Sequence, residues 1–188
     1  MLRRLSVRQN VAMRLGLGRR GAWWVWSAGF VAFGALEALV LHLLGGALLP
    51  RPAALTLDVV VDVLTLAVLF AFVSPLWSAH TVTDDGTARL RFGMLGSIVV
   101  RPGDIARARP FTPTAARPAE VGVGFDDETC RLTLVRSPES PLVFASFTRP
   151  VPARIQLFRR VLAAECLVST DDARRLVAAL GQDEPYHA

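Results

Sequence analysis

The sequence predicts a membrane-embedded α-helical hairpin followed by a mainly-β domain closed by one C-terminal helix. Three observations carry this. Two apolar stretches fill residues 22–77, joined by a Gly/Pro-rich corner. From Ala79 onward apolar residues recur at every second position, the period of a strand. After Thr170 the spacing becomes helical again, with Ala173, Leu176, Val177 and Leu180 on one stripe.

The first span is predicted over 23–44 and the second over 55–77. A 22-residue helix rises about 33 Å, enough for a hydrocarbon core of about 30 Å. Trp23, Trp24 and Trp26 open the first span where an interfacial aromatic belt belongs. Gly45, Gly46, Pro50 and Pro52 are expected to break the helix and make the turn. Residues 1–21 carry Arg3, Arg4, Arg8, Arg14, Arg19 and Arg20 and no acid. This leader is expected to be cytoplasmic, to form a short amphipathic helix and to contact anionic headgroups. Loop arginines favour the cytoplasmic side. Six precede the first span, one (Arg51) lies in the 45–54 corner, and Arg89 and Arg91 follow the second span. Both termini are therefore expected in the cytoplasm of a multi-pass inner-membrane protein. The apolar run is too long for the h-region of a cleavable signal, about 7–15 residues.

The net charge is +5, unevenly spread: +6 on the leader, −2 on residues 22–78 and +1 from residue 79 on. A near-neutral domain argues against a nucleic-acid footprint. Lys is absent while Ala, Arg, Val and Leu abound, which fits the coding bias of a GC-rich bacterial genome. Cys130 and Cys166 lack metal or redox spacing and read as reduced core thiols.

Residues 79–83 and 88–92 read as strands around Asp84-Asp85-Gly86, with Asp-Gly supplying the positive φ of a tight turn. Further strands are expected at 96–101, 104–109, 121–125, 130–136, 142–147, 153–158 and 161–169, with 110–120 as a loop. Inward positions are predicted at Leu90, Phe92, Cys130, Leu132, Leu134, Ile155, Leu157, Leu162, Ala164, Cys166 and Val168. Thr170 is expected to cap the last helix and Gly181 to stop it. Residues 182–188 are a polar tail.

Residues 80–105, HTVTDDGTARLRFGMLGSIVVRPGDI, with their Asp104-Ile105 step, and the ending Leu167-Val-Ser-Thr-Asp-Asp-Ala173, resemble bacterial pleckstrin-homology-like (PH-like) domains that follow membrane helices. The resemblance covers residues 79–181 and the two-helix anchor. It implies an antiparallel barrel or roll with a C-terminal helix, acting as a scaffold for binding or assembly. Fold alone does not fix function.

Four ionisable residues interrupt the hairpin: Glu37, His42, Asp58 and Asp62. At 1.5 Å per residue, Glu37 and Asp62 sit about 5–6 Å outward of the span centres, and His42 and Asp58 about 12–13 Å. Such residues in a bilayer point to function. They read either as an interhelical polar clasp or as a small proton- or cation-handling site. Arg101, Arg107 and Arg109 are candidates for headgroup or partner contact. No GxSxG, P-loop, HExxH or EF-hand pattern occurs. The expectation is a non-catalytic, cofactor-free, membrane-tethered interaction module with an unidentified protein partner. The alternative is a small homo-oligomeric transport or proton- or cation-handling membrane protein using Glu37, His42, Asp58 and Asp62.

Overall fold

The computed structural model describes residues 11–114 and 118–181. Arg3, Arg4, Arg8 and the predicted tail 182–188 lie outside these. The chain opens with strand β1 (Val11–Gly16), then helices α1 (Gly21–Leu48) and α2 (Arg51–Val73) and a 3₁₀ turn (Ser74–Leu76). Strands β2 (Ala79–Thr83), β3 (Ala88–Phe92) and β4 (Gly96–Val100) follow, then a second 3₁₀ turn (Pro102–Asp104). β5 (Ile105–Phe111), β6 (Gly122–Asp126), β7 (Arg131–Val135), β8 (Leu142–Ile155) and β9 (Arg159–Ser169) precede helix α3 (Ala173–Ala179).

The hairpin is longer and its corner tighter than predicted. α1 has 28 residues and rises about 42 Å; α2 has 23 and rises about 35 Å. Both are long and apolar enough to cross a membrane. α1 runs straight through Gly45 and Gly46, so these glycines do not break it. Pro50 does, because the residue before a helix tolerates its fixed φ while a helix interior does not. α2 ends at Val73, before Pro75, rather than at Trp77. Small residues let the helices approach: a Cβ on Gly34 would meet Thr65 and Leu69 at 3.2–3.4 Å, and one on Gly45 would meet Leu57 at 3.4 Å.

Residues 11–16 form a strand, not part of an amphipathic helix. β1 pairs antiparallel with β2, from Val11↔Thr83 to Gly16↔Ala79. The hairpin is thus inserted between two neighbouring strands of one open sheet, ordered β1-β2-β3-β4-β8-β9-β7-β6, with β5 on β8. All pairings are antiparallel except β7 with β9. β8 joins the predicted strands 142–147 and 153–158 into one 14-residue strand. Its first half pairs with β5 and its last residues with β4, while β9 accompanies it along both. The register slips between Ser146 and Val151. On β9 the amides of Ala164 and Glu165 both donate to Cys130 O, the two-against-one pattern of a bulge.

That bulge explains the errors in the predicted core positions of β9. Leu90, Phe92, Leu132, Leu134, Ile155, Cys166 and Val168 are buried as expected. Before the bulge the inward residues of β9 are Val161 and Ala163, so Leu162 is exposed and Ala164 only half-buried. Leu157 and Cys130 sit in turns at φ 68° and 50°. α3 is capped by Asp172, whose carboxylate accepts from the Arg175 amide at 3.0 Å, and not by Thr170, which is buried. Gly181, at φ 78°, stops it as predicted.

The core includes the hairpin base. Leu15, Leu17, Trp23 and Leu76 belong to the same apolar cluster as Phe92, Ile98, Leu134, Ile155 and Leu176. Trp23 is 6% exposed, stacks on Phe72 at 4.8 Å, meets Phe92 edge-on at 4.9 Å and donates to Phe72 O at 3.1 Å. It is therefore a plug between hairpin and sheet, not a belt residue. Trp24 and Trp26 are each 60% exposed. Trp23→Ala should cost about 3–5 kcal/mol in denaturant unfolding of the micelle-solubilised chain. Trp26→Ala, measured the same way, should cost under about 1 kcal/mol.

Candidate functional site at the hairpin base

Arg136, just past β7, is 4% exposed and lies between the two ends of the hairpin. Its Nε donates to Arg19 O at 3.2 Å and its Nη1 to Pro75 O at 3.0 Å and Leu76 O at 3.4 Å. Its Nη2 donates to Gly18 O. One guanidinium thus bridges the carbonyls before α1 and those after α2. Only a planar fork with five N–H groups reaches so many acceptors. Carbonyls ending a helix also carry the negative end of its dipole, which favours a cation there. Burial holds the Arg136 pKa below its ordinary value, and the nearby Arg20 charge adds to this.

Neighbouring bonds continue the clamp. The Arg136 amide donates to Ser169 Oγ at 2.9 Å. Ser169 O accepts from His80 Nε2 at 2.8 Å, and the Arg91 amide donates to His80 Nδ1 at 3.2 Å. That pair of bonds selects the neutral Nε2–H tautomer of a fully buried ring, and burial lowers the His80 pKa from 6.5. Gly16 N donates to Asp171 Oδ2 at 2.9 Å, Asp171 N to Gly16 O at 3.1 Å, and Arg19 N to Ser140 Oγ at 2.8 Å. Gly18 sits at φ 81°, where a Cβ would lie 2.6 Å from Thr170 O, so only glycine fits.

Beside the clamp a basin of about 420 Å³ is lined by Arg14, Arg20, Arg136, Trp77 and Asp171. Arg14, Arg19 and Arg20 are exposed at the hairpin base, and Arg19 pairs with Glu139 at 3.2 Å. Arg101, Arg107 and Arg109 are exposed but do not converge on this basin. Arg109 instead covers the Phe144 ring at 5.6 Å and lines a cleft of about 530 Å³ with Phe111, Glu120, Arg131 and Glu165. Asp104 is held by Arg149 (2.9 and 3.0 Å), whose hydrogen bonds are the chief cause of its lowered pKa. It fixes the turn into β5.

Of the four ionisable residues in the hairpin, the structure brings His42 and Asp58 together. His42 Nδ1 and Asp58 Oδ2 lie 2.9 Å apart. Glu37 and Asp62 are both exposed, and no bond joins them among the described residues. Equal depth put them level, but the helix rotation turns them outward. Among the described residues no three His, Cys, Asp or Glu side chains converge on a metal position. Arg136 itself escaped the sequence reading. Its only signal was a lone Arg closing an apolar strand, which looks like an ordinary strand end.

Arg136→Leu should lower stability by at least about 3 kcal/mol, because four carbonyls, those of Pro75 and Leu76 buried, lose a charged donor. Trypsin should then cut at Arg19-Arg20 much faster than in the native chain, and Arg136→Lys should fall between. The pH dependence has a defined sign. Above pH 6.5 His80 is neutral in both folded and unfolded chains. As pH falls below that value the unfolded chain binds a proton the folded chain resists, so stability drops by up to about 1.4 kcal/mol per pH unit. Asp104 adds a second loss only as pH falls below its ordinary 3.8, through its lower folded value. Denaturant midpoints against pH should show both limbs, and His80→Gln should abolish the first alone. Comparison with protein-family models, curated proteins and solved structures found no match.

Proposed function

We propose that this chain is a non-catalytic, membrane-tethered interaction and assembly module of a bacterial inner membrane, with both termini cytoplasmic. The observation that carries it is the Arg136 clamp, which welds the sheet to both ends of the hairpin. A domain on a flexible tether samples many orientations; one sharing its core with the anchor presents a fixed face. The exposed apolar surface of both helices, including Phe33, Leu36, Val63 and Leu66, supports a lipid environment. The arginine distribution favours the cytoplasmic side for the sheet. The PH-like reading rests on the strand–turn–strand opening over β2–β4 and on α3 seating Leu176 and Leu180 in the core. A protein partner is best served by the cleft around Arg109, Phe111 and Glu120, which has apolar floor and both charge signs.

A second reading draws on the His42–Asp58 pair: an oligomer handling protons or cations through the outer half of the hairpin. Two helices enclose no pathway alone, so it requires assembly through α1 and α2.

Photocrosslinkers at Arg107 and Arg109 in native membranes should trap one protein reproducibly, and Phe144→Ala should reduce the yield several-fold. Absence of any adduct, together with proton flux in liposomes that Asp58→Asn abolishes, would replace the module reading with the second.

A further inference from the structure

The sheet carries a second basic feature, separate from the leader. Arg91 pairs with Ser97, Ser97 with Arg154 and Arg154 with Arg160, across β3, β4, β8 and β9. Their strand neighbours Phe92, Ile98, Ala153 and Val161 are buried, so this row lies on the outer face. All three arginines are exposed. Among the described residues none of them has a carboxylate within ion-pair distance. Arg154 and Arg160 stand directly opposite each other, an arrangement that costs stability in a sheet. A row of cations without counter-charge, held in register by the backbone, is complementary to an anionic surface.

The position of the row says which surface. One residue beyond it, β3 and β4 turn through Gly93–Leu95. This turn is seated on the end of α2: the Met94 amide donates to Ser74 Oγ at 2.7 Å. A Cβ on Gly93 would lie 2.7 Å from Pro75 N. The β8–β9 turn is tied to the same level, since the Gln156 amide donates to Leu95 O at 2.7 Å. Gln156 shares a groove with Trp26 and Phe72 of the helices. At the tip of this turn Phe158 is 87% exposed, the most exposed large apolar residue of the described chain. Gln156 and Leu157 hold it there with φ of 48° and 68°, a left-handed pair that non-glycine residues rarely adopt. The arginine row lies two to three residues, about 7–10 Å, from these turns, roughly the depth of a headgroup layer.

We propose that the Arg91–Arg154–Arg160 row and the Phe158 tip form a second membrane contact, in which the row binds phosphates of anionic lipids and Phe158 enters the acyl boundary of the same leaflet. The contact rests on the hairpin spanning the membrane. It orients the sheet about the hairpin axis, which the clamp alone leaves free to tilt with the helices.

The test uses the full chain in nanodiscs of phosphatidylcholine, or of phosphatidylcholine and phosphatidylglycerol in equal parts. A nitroxide is placed at Phe158→Cys in a Cys130→Asn background. Cys130 is at φ 50°, which Asn tolerates. Cys166 is fully buried, with its thiol pKa pushed up, and escapes labelling. Oxygen should relax the label much more than a water-soluble nickel chelate in discs with phosphatidylglycerol. Neutralising Arg91, Arg154 and Arg160 to Gln should cut the lipid-immersed fraction by about fivefold per arginine. The same changes should leave the fold as stable or more so, since they relieve opposed like charges. A label at Phe33→Cys separates the two failures. Phe33 in water would sink the membrane reading itself. Phe33 in hydrocarbon with position 158 in water in both discs would overturn this inference alone, as would immersion indifferent to the arginines.

Discussion

The structure depends on one guanidinium bonded to backbone carbonyls and, among the described residues, to no carboxylate. Arg136 is almost fully buried, and taking a cation out of water is costly. Four carbonyl acceptors offset that cost, each charge-assisted bond contributing about 1.5–3 kcal/mol. The acceptors come from residues 18, 19, 75 and 76, far apart in sequence but adjacent where the hairpin leaves the sheet. With a carboxylate as partner the side chain would hold one other residue. With carbonyls it holds two chain segments.

Around that bond the usual separation of anchor and domain disappears. Trp23 and Leu76 belong to the sheet's apolar core, and Ser74 at the end of α2 receives the β3–β4 turn. Gly18 is required by contact with Thr170, and Gly93 by contact with Pro75. The hairpin and sheet are therefore stabilised jointly, and loosening one weakens the other.

Much of the architecture was legible in hydrophobic pattern. Two helices, the strands β2–β4, the β6–β7 hairpin and the closing helix each follow a local period that the sequence displays. What escaped was set at a distance. Residues 11–16 have helical-looking spacing but find an unpaired strand edge in β2, and tertiary pairing overrides weak local preference. The β9 bulge shifts the inward phase by one residue, and its cause is the Cys130 carbonyl more than thirty positions away. Depth along a helix can be computed from sequence, which puts His42 level with Asp58 and Glu37 level with Asp62; rotation about the axis cannot, and of the two level sets the structure bonds His42 to Asp58. The arginine row is invisible in sequence because its members come from three strands.

The pairing of β1 with β2 has a consequence for biogenesis. β1 is synthesised first, yet its partner strand emerges only after both helices, and Arg136 later still. Ala79, the pairing partner of Gly16, follows it by 63 residues, about 3–13 s of synthesis at ordinary rates. Throughout that interval β1 waits as a bare strand edge, exposed to adventitious pairing. It finds its place only if the hairpin has returned to the side it left. With the hairpin spanning a membrane, as proposed, a nascent chain with one helix uninserted would strand β1 and β2 on opposite sides of the bilayer and leave the sheet without its first edge. The finished sheet is thus a record of a hairpin correctly returned, and Arg136, made after both hairpin ends, is the latch that seals it.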